Sequence, residues 1–292
     1  KDILGTCFNK HIAALYKNKI LEHINEFLKA RSHWNTDLVN GKCKNILACL
    51  FGFPSSAEEL SFASIAKKYG IVTASFQHAI SKEISEDILS IDSLYESNIV
   101  DYFFVFNKHA AINSKKSRFH HSEDIVMGLP EDLKKGMLKK SFKREIKYPI
   151  LYASTNLYCG NRGIIGRAGA TDIDKALFEI SFIDKVLGQL PHKVQYKPYY
   201  SRRYSGDSIE IEMAQSYSNL YINLDEIDLR YIINNSKVVI TSRSTSTVGW
   251  CIFSSKPIIY IENEDNRLNS EARKVFEKGF KAVLCDCKCG MV

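Results

Sequence analysis

The feature that most constrains this chain is the alternation of short apolar runs with longer amphipathic stretches. Strands buried on both faces read as near-continuous apolar runs, whereas crossover helices are apolar on one face only, so the alternation predicts βαβ units and parallel sheets. The predicted strands are Asn45–Gly52, read as fully buried, Ile71–Phe76, Asp101–Phe106, Asp124–Met127, Pro149–Ala153, Lys193–Tyr196, Asn219–Ile222, Lys237–Ile240 and Pro257–Ile261. The predicted helices are His11–Ala30, Ser55–Tyr69, Ile173–Leu187, Leu229–Asn234 and Val248–Phe253. In the first of these, Ile12, Leu15, Ile20, Ile24 and Leu28 keep near-helical spacing. Ser56 can cap the second, with Glu58 and Glu59 in its first turn.

Gly128-Leu129-Pro130 interrupts the pattern, and a Lys-rich stretch without a clear strand follows it. The expected organisation is a first Rossmann-like domain over residues 1–130, a linker over 131–148 and a second Rossmann-like domain over 149–292, the two facing a cleft. A length of 292 residues suits two domains, and 45% hydrophobic with 25% charged residues excludes a wholly disordered chain, a collagen-like fibre or a coiled coil. No run approaches the roughly 18 apolar residues of a membrane span. The net charge of +7 is too small to argue for nucleic acid, and no nucleic-acid-binding motif is recognisable. Residues 107–147 hold 11 Lys and Arg against 5 Asp and Glu, so most of the excess charge sits in and before the linker. That suits either a solvated linker or an anionic, membrane-linked acceptor. The eight cysteines show no disulfide framework, which points to a reducing cytoplasm. Cys285, Cys287 and Cys289 lack a second pair at zinc-ligand spacing and read as alternating residues of a terminal strand.

In open α/β sheets, ligands bind beyond the carboxyl ends of the strands, so the polar segments there are the places to search. Residues 241–247 hold six hydroxyls broken only by Arg243, and a helix follows at once. Arg243, Ser244, Thr245, Ser246 and Thr247, with the free N–H groups of a helix start, would suit a phosphate; ordinary capping by one hydroxyl is the plainer alternative. Lys197, Tyr199, Arg202 and Arg203 follow another strand and could hold a phosphate and flank a base or sugar, or form a solvated basic loop. Gln77 and His78 end the strand Ile71–Phe76, where an imidazole could serve as a general base. Asn156 and Arg162 lie in a glycine-containing stretch that permits close backbone approach to a ligand, or that is a surface loop. There is no Walker or G-x-G-x-x-G pattern.

Together these segments resemble GT-B glycosyltransferases that build bacterial surface polysaccharides. Gln77-His78-Ala79 resembles the Gln-His-Gly element of capsule and teichoic-acid transferases, with Ala79 in place of Gly. Lys197-Pro198 stands where bacterial sialyltransferases carry His-Pro, and Ser244–Thr247 where they carry Ser-Ser or Ser-Thr. Ser255-Lys256-Pro257-Ile258-Ile259 is similar to the Gly-Lys-Pro-Val-Ile of many such enzymes. The resemblance implies a GT-B fold and transfer of a sugar from a nucleotide donor, cytidine-linked (CMP or CDP), to a polysaccharide or glycolipid acceptor. It implies no metal and no cofactor beyond that donor, and work in the cytoplasm or at the inner membrane face. In this reading His78, with Gln77, assists the acceptor hydroxyl, and Lys197 replaces the family's imidazole at the phosphate with a fixed charge. Further strands are implied before Asn45, so the natural protein is expected to extend upstream of Lys1. Two alternatives stay open: a CDP-polyol phosphotransferase of the teichoic-acid type, and a non-catalytic nucleotide- or glycan-binding module.

Overall fold

The structure, a computed structural model, describes residues 10–42, 48–51, 56–86, 96–117, 119–131, 133–134, 146–155, 172–199, 208–242, 246–262, 267–279 and 281–284. It is α/β, with two parallel-stranded sheets and helices packed on them, in two compact units that are Rossmann-like in build. The first unit comprises residues 1–78, 92–105 and 119–125, and the second 79–91, 106–118 and 126–292. This grouping crosses the expected boundary at residue 130. Its physical basis is apolar packing: Ile80, Ile84 and Phe106 are buried in one cluster with Val248, Tyr260, Leu268 and Phe276.

The first unit holds a four-stranded sheet in the order β1 (Ala48–Phe51), β2 (Val72–Phe76), β3 (Tyr102–Val105), β4 (Glu123–Val126). Helix α1 (Lys10–Val39) outruns its predicted end by nine residues and packs on α2 (Ala57–Ala66) through Trp34, whose ring meets Phe62 edge-on at 5.1 Å. The apolar spacing that predicts α1 is real, but Leu15, Ile20, Ile24 and Leu28 are exposed. Ser56 caps α2 as expected and forms a full capping box with Glu59. Gly70, at φ 70, takes the left-handed turn that ends the following single turn of 3-10 helix and delivers the chain to β2. Strand β1 departs from expectation. It lies at the sheet's edge, and Leu50 is 63% exposed, so its apolar run marks a half-covered strand rather than a fully buried one.

The second unit is built on a six-stranded sheet whose described strand pairs are all parallel. Its strands are β5 (Ile150–Ala153), β6 (Val194–Lys197), β7 (Leu220–Ile222), β8 (Val238–Ser242), β9 (Ile258–Glu262) and β10 (Lys281–Leu284). Their order across the sheet is β10-β9-β8-β5-β6-β7. Counted from β5, this is the doubly wound 3-2-1-4-5-6 arrangement of a dinucleotide-binding sheet. The short helices α3 (Ser81–Ile84) and α4 (Lys108–Ser114) belong to this unit. So do α5 (Asp172–Lys185), α6 (Ile209–Gln215), α7 (Leu229–Ile232), α8 (Ser246–Phe253) and α9 (Ser270–Gly279). Tyr152, Ile183, Leu187, Val194 and Tyr196 form one buried cluster, and Leu151, Val239, Cys251 and Ile258 form another. Residues 285–290, including the three closely spaced cysteines, lie outside the described residues. Among the described helices none is long and apolar enough to cross a membrane.

Replacing Ser56 by Ala removes the hydroxyl of the capping box and is expected to cost about 1 kcal/mol. A urea titration of wild type and variant reads this directly, and an unchanged midpoint would show that the cap contributes nothing.

Candidate functional site

The sheet order singles out one place in the second unit. From β5 the chain winds one way through β6 and β7, then returns to β8 on the other side of β5. The crossovers therefore diverge at the carboxyl ends of β5 and β8, and such a divergence leaves a crevice in which ligands bind.

Both strand ends are laced together by hydroxyl groups. The Thr241 hydroxyl donates to the Ala153 carbonyl at 3.1 Å. The Thr155 hydroxyl donates to the Ser242 carbonyl at 2.6 Å and lies 3.1 Å from the Ser242 hydroxyl. On the other side of β5, the Ser154 N–H donates to the Lys197 carbonyl at 3.0 Å. Thr155, Thr241 and Ser242 are all buried. Two of the six hydroxyls in residues 241–247 are thus committed to holding strand ends in place.

Helix α8 begins four residues beyond Ser242. Ser246 is exposed at its start and Thr247 is half-buried, while Val248 and Cys251 anchor the helix in the core. The first N–H groups of a helix have no partner within it and carry the positive end of its dipole, which favours an anion. Arg243, Ser244 and Thr245 lie outside the described residues. Burial pushes the Cys251 thiol up to about 12, so it stays protonated and serves as a small core side chain.

Lys197 ends β6 and is buried. Its ammonium group donates to the carbonyls of Asn223, at 3.5 Å, and Asp225. Burial lowers its pKa, and the charges of Asp225 and Glu226 work against that shift. The Lys197 charge therefore ties the end of β6 to the turn after β7, a turn also shaped by the Asp225 N–H donating to the Asn223 side chain at 3.0 Å. Tyr199, two residues on, is exposed. Asn156, Arg162, Arg202 and Arg203 lie outside the described residues.

Gln77 and His78 stand at the carboxyl end of β2 in the first unit. Gln77 is buried and its N–H donates to the Phe104 carbonyl at 2.9 Å. The His78 N–H donates to the carboxylate of Glu96 at 2.9 Å, and the Ser75 hydroxyl donates to the Glu96 carbonyl. Buried Glu96 thus fixes the turn that presents His78, whose residue is exposed.

The structure brings Lys197 and Ser246 to the carboxyl edge of the same sheet, together with Thr155 and Ser242. Sequence reasoning passed over Glu96, Asn223, Asp225 and Glu179. Glu179, on α5, is fully buried and accepts from the Tyr152 hydroxyl at 2.8 Å and the Tyr196 hydroxyl at 2.9 Å. The signal available for it was a tyrosine late in each of two predicted neighbouring strands, since buried tyrosine hydroxyls need partners.

No protein-family model matches the chain, and no curated protein is similar to it in sequence. Among solved structures it is similar to S. aureus MnaA in a structure with UDP. The likeness covers 88% of this chain and 66% of that one, with a TM-score of 0.50 and 13% identity. The chain thus spans slightly less than two thirds of that protein's length, and the likeness is one of fold.

Burial raises the pKa of Glu179, the hydroxyls of Ser154, Tyr152 and Tyr196 oppose the shift, and the charge of Glu210 adds to it. The folded protein then holds the Glu179 proton more tightly than the unfolded chain does. Its contribution to stability is full below the ordinary glutamate value of 4.5 and is lost as pH rises through the raised value. The urea midpoint of wild type relative to Glu179→Gln is therefore expected to fall as pH rises above the ordinary glutamate value of 4.5. A difference that stays constant as pH rises would contradict the assignment.

Proposed function

We propose that this chain is a nucleotide-sugar enzyme, and specifically a glycosyltransferase, whose second unit holds a pyrimidine nucleotide donor. The observation that carries the reading is the convergence at the β5–β8 divergence: a sheet of dinucleotide-binding order, the N-terminus of α8 with exposed Ser246, and the positive charge of Lys197 at the neighbouring strand end. An anionic diphosphate or monophosphate leaving group suits such a place, because N–H dipoles and a fixed cation stabilise the charge that develops as the sugar departs. The UDP of the structural neighbour and the cytidine nucleotides implied by the sequence resemblance are both pyrimidine nucleotides, and this supports the base class.

In the proposal Ser246 and Thr247 hold a phosphate, helped by Arg243, Ser244 and Thr245 before them in sequence and by Asn156, Arg162, Arg202 and Arg203. Tyr199 flanks the base or sugar. Lys197 contributes charge from its place on the carbonyls of Asn223 and Asp225. His78, steadied by Glu96 through its backbone and preceded by buried Gln77, assists the acceptor hydroxyl as a general base. The acceptor in this reading is a polysaccharide or glycolipid.

Calorimetry with CMP, CDP, UMP and UDP tests the donor half. At least one pyrimidine nucleotide is expected to bind, and Ser246→Ala to weaken it about tenfold, the loss of one hydrogen bond to a charged group. His78→Ala is expected to leave that affinity unchanged while lowering donor turnover by about a hundredfold. Absence of binding by all four nucleotides, or binding indifferent to Ser246, would overturn the reading.

A further inference from the structure

A buried carboxylate is an expensive way to fill a core. Desolvation opposes its charge, and an apolar side chain of similar volume is commonly as good for stability or better. Glu179 therefore calls for another explanation, and its contacts supply one. Tyr152 and Tyr196 are register partners on adjacent strands β5 and β6. Their rings stack at 5.5 Å, and their hydroxyls reach the two oxygens of the one Glu179 carboxylate. The Ser154 side chain hydrogen-bonds to the same carboxylate. Ser154 lies on the same strand face as Tyr152 and leads directly to Thr155, and Tyr196 directly precedes Lys197. Each of these three hydrogen-bond partners thus lies within two residues of the strand ends that form the candidate site.

We infer that Glu179 is a positioning residue for the nucleotide site: it clamps the carboxyl ends of β5 and β6 to each other and to helix α5. Resting on the function proposed above, this adds a residue that touches no ligand. The backbone ladder pairs β5 with β6 as far as Ala153 and Lys197, and the Glu179 contacts add a tie from both strands to α5. Three hydrogen bonds to one rigid acceptor fix how far Ser154, Thr155 and Lys197 protrude. An error of about 1 Å at such a site is enough to cost orders of magnitude in function.

The test replaces the whole network by apolar shape: Tyr152→Phe, Glu179→Leu and Tyr196→Phe in one chain. This variant removes the carboxylate and both phenol hydroxyls together and leaves only the Ser154 hydroxyl without its Glu179 partner, so it is expected to melt close to wild type. Its affinity for whichever pyrimidine nucleotide wild type binds is expected to fall by about tenfold or more. Amide hydrogen exchange at residues 153–155 and 196–197 is expected to speed up in the unliganded variant. Affinity and exchange equal to wild type in a stably folded variant would overturn the inference. If the variant fails to fold, the single change Tyr196→Phe, which keeps the ring and drops one hydroxyl, takes its place with the same two readouts. Failure of wild type to bind any nucleotide would count against the proposed function, while the exchange readout would still decide the role of Glu179.

Discussion

The second unit depends on β5. Among the described strands of its sheet, β5 is where the winding reverses, with β6 on one side and β8 on the other. Its backbone is paired through Ile150–Ala153 with both neighbours, and side chains continue the bonding beyond the regular ladder: Thr241 to Ala153, Thr155 to Ser242, and the Ser154 N–H to Lys197. Hydroxyl groups at strand ends are costly to bury unless they are satisfied, and here each bond also closes the end of the sheet against fraying. The candidate site is the consequence. A strand end tied on both sides stands beside the start of α8 and the end of β6.

Much of this frame was legible in the sequence, for a physical reason. Parallel strands covered on both faces need continuous apolar residues, so β2, β3, β5, β6, β8 and β9 all appear within a residue or two of their predicted places. The capping box at Ser56 was legible because it is local, involving residues three apart. Edge strand β1 reads the same as a central strand because composition does not record how many neighbours a strand has. Helices α3, α4 and α6 are too short to show a period, and among its described residues α9 buries only Ala272 and Phe276, too sparse a stripe to stand out.

The site was legible in part. A row of hydroxyls after a strand and before a helix marks an N-terminus whatever the rest of the chain does. Which hydroxyls are committed to the sheet is decided by partners almost ninety residues away, as with Thr155 and Ser242, and that no local pattern contains. Lys197, expected as a cation that holds a phosphate, is seated on carbonyls after β7, partners that no local pattern contains. Glu179 sits in an amphipathic helix, where a carboxylate ordinarily faces water; only the meeting of Tyr152 and Tyr196 under that helix makes it a core residue.

The central claim is that the β5–β8 divergence of the second unit receives the phosphate of a nucleotide. A crystal structure of the protein soaked with UDP or CDP tests it most directly. The account predicts phosphate oxygens on the first N–H groups of α8 at Ser246 and Thr247, with the nucleoside lying along the carboxyl edge toward β6. A nucleotide bound with its phosphates away from that helix start would contradict it.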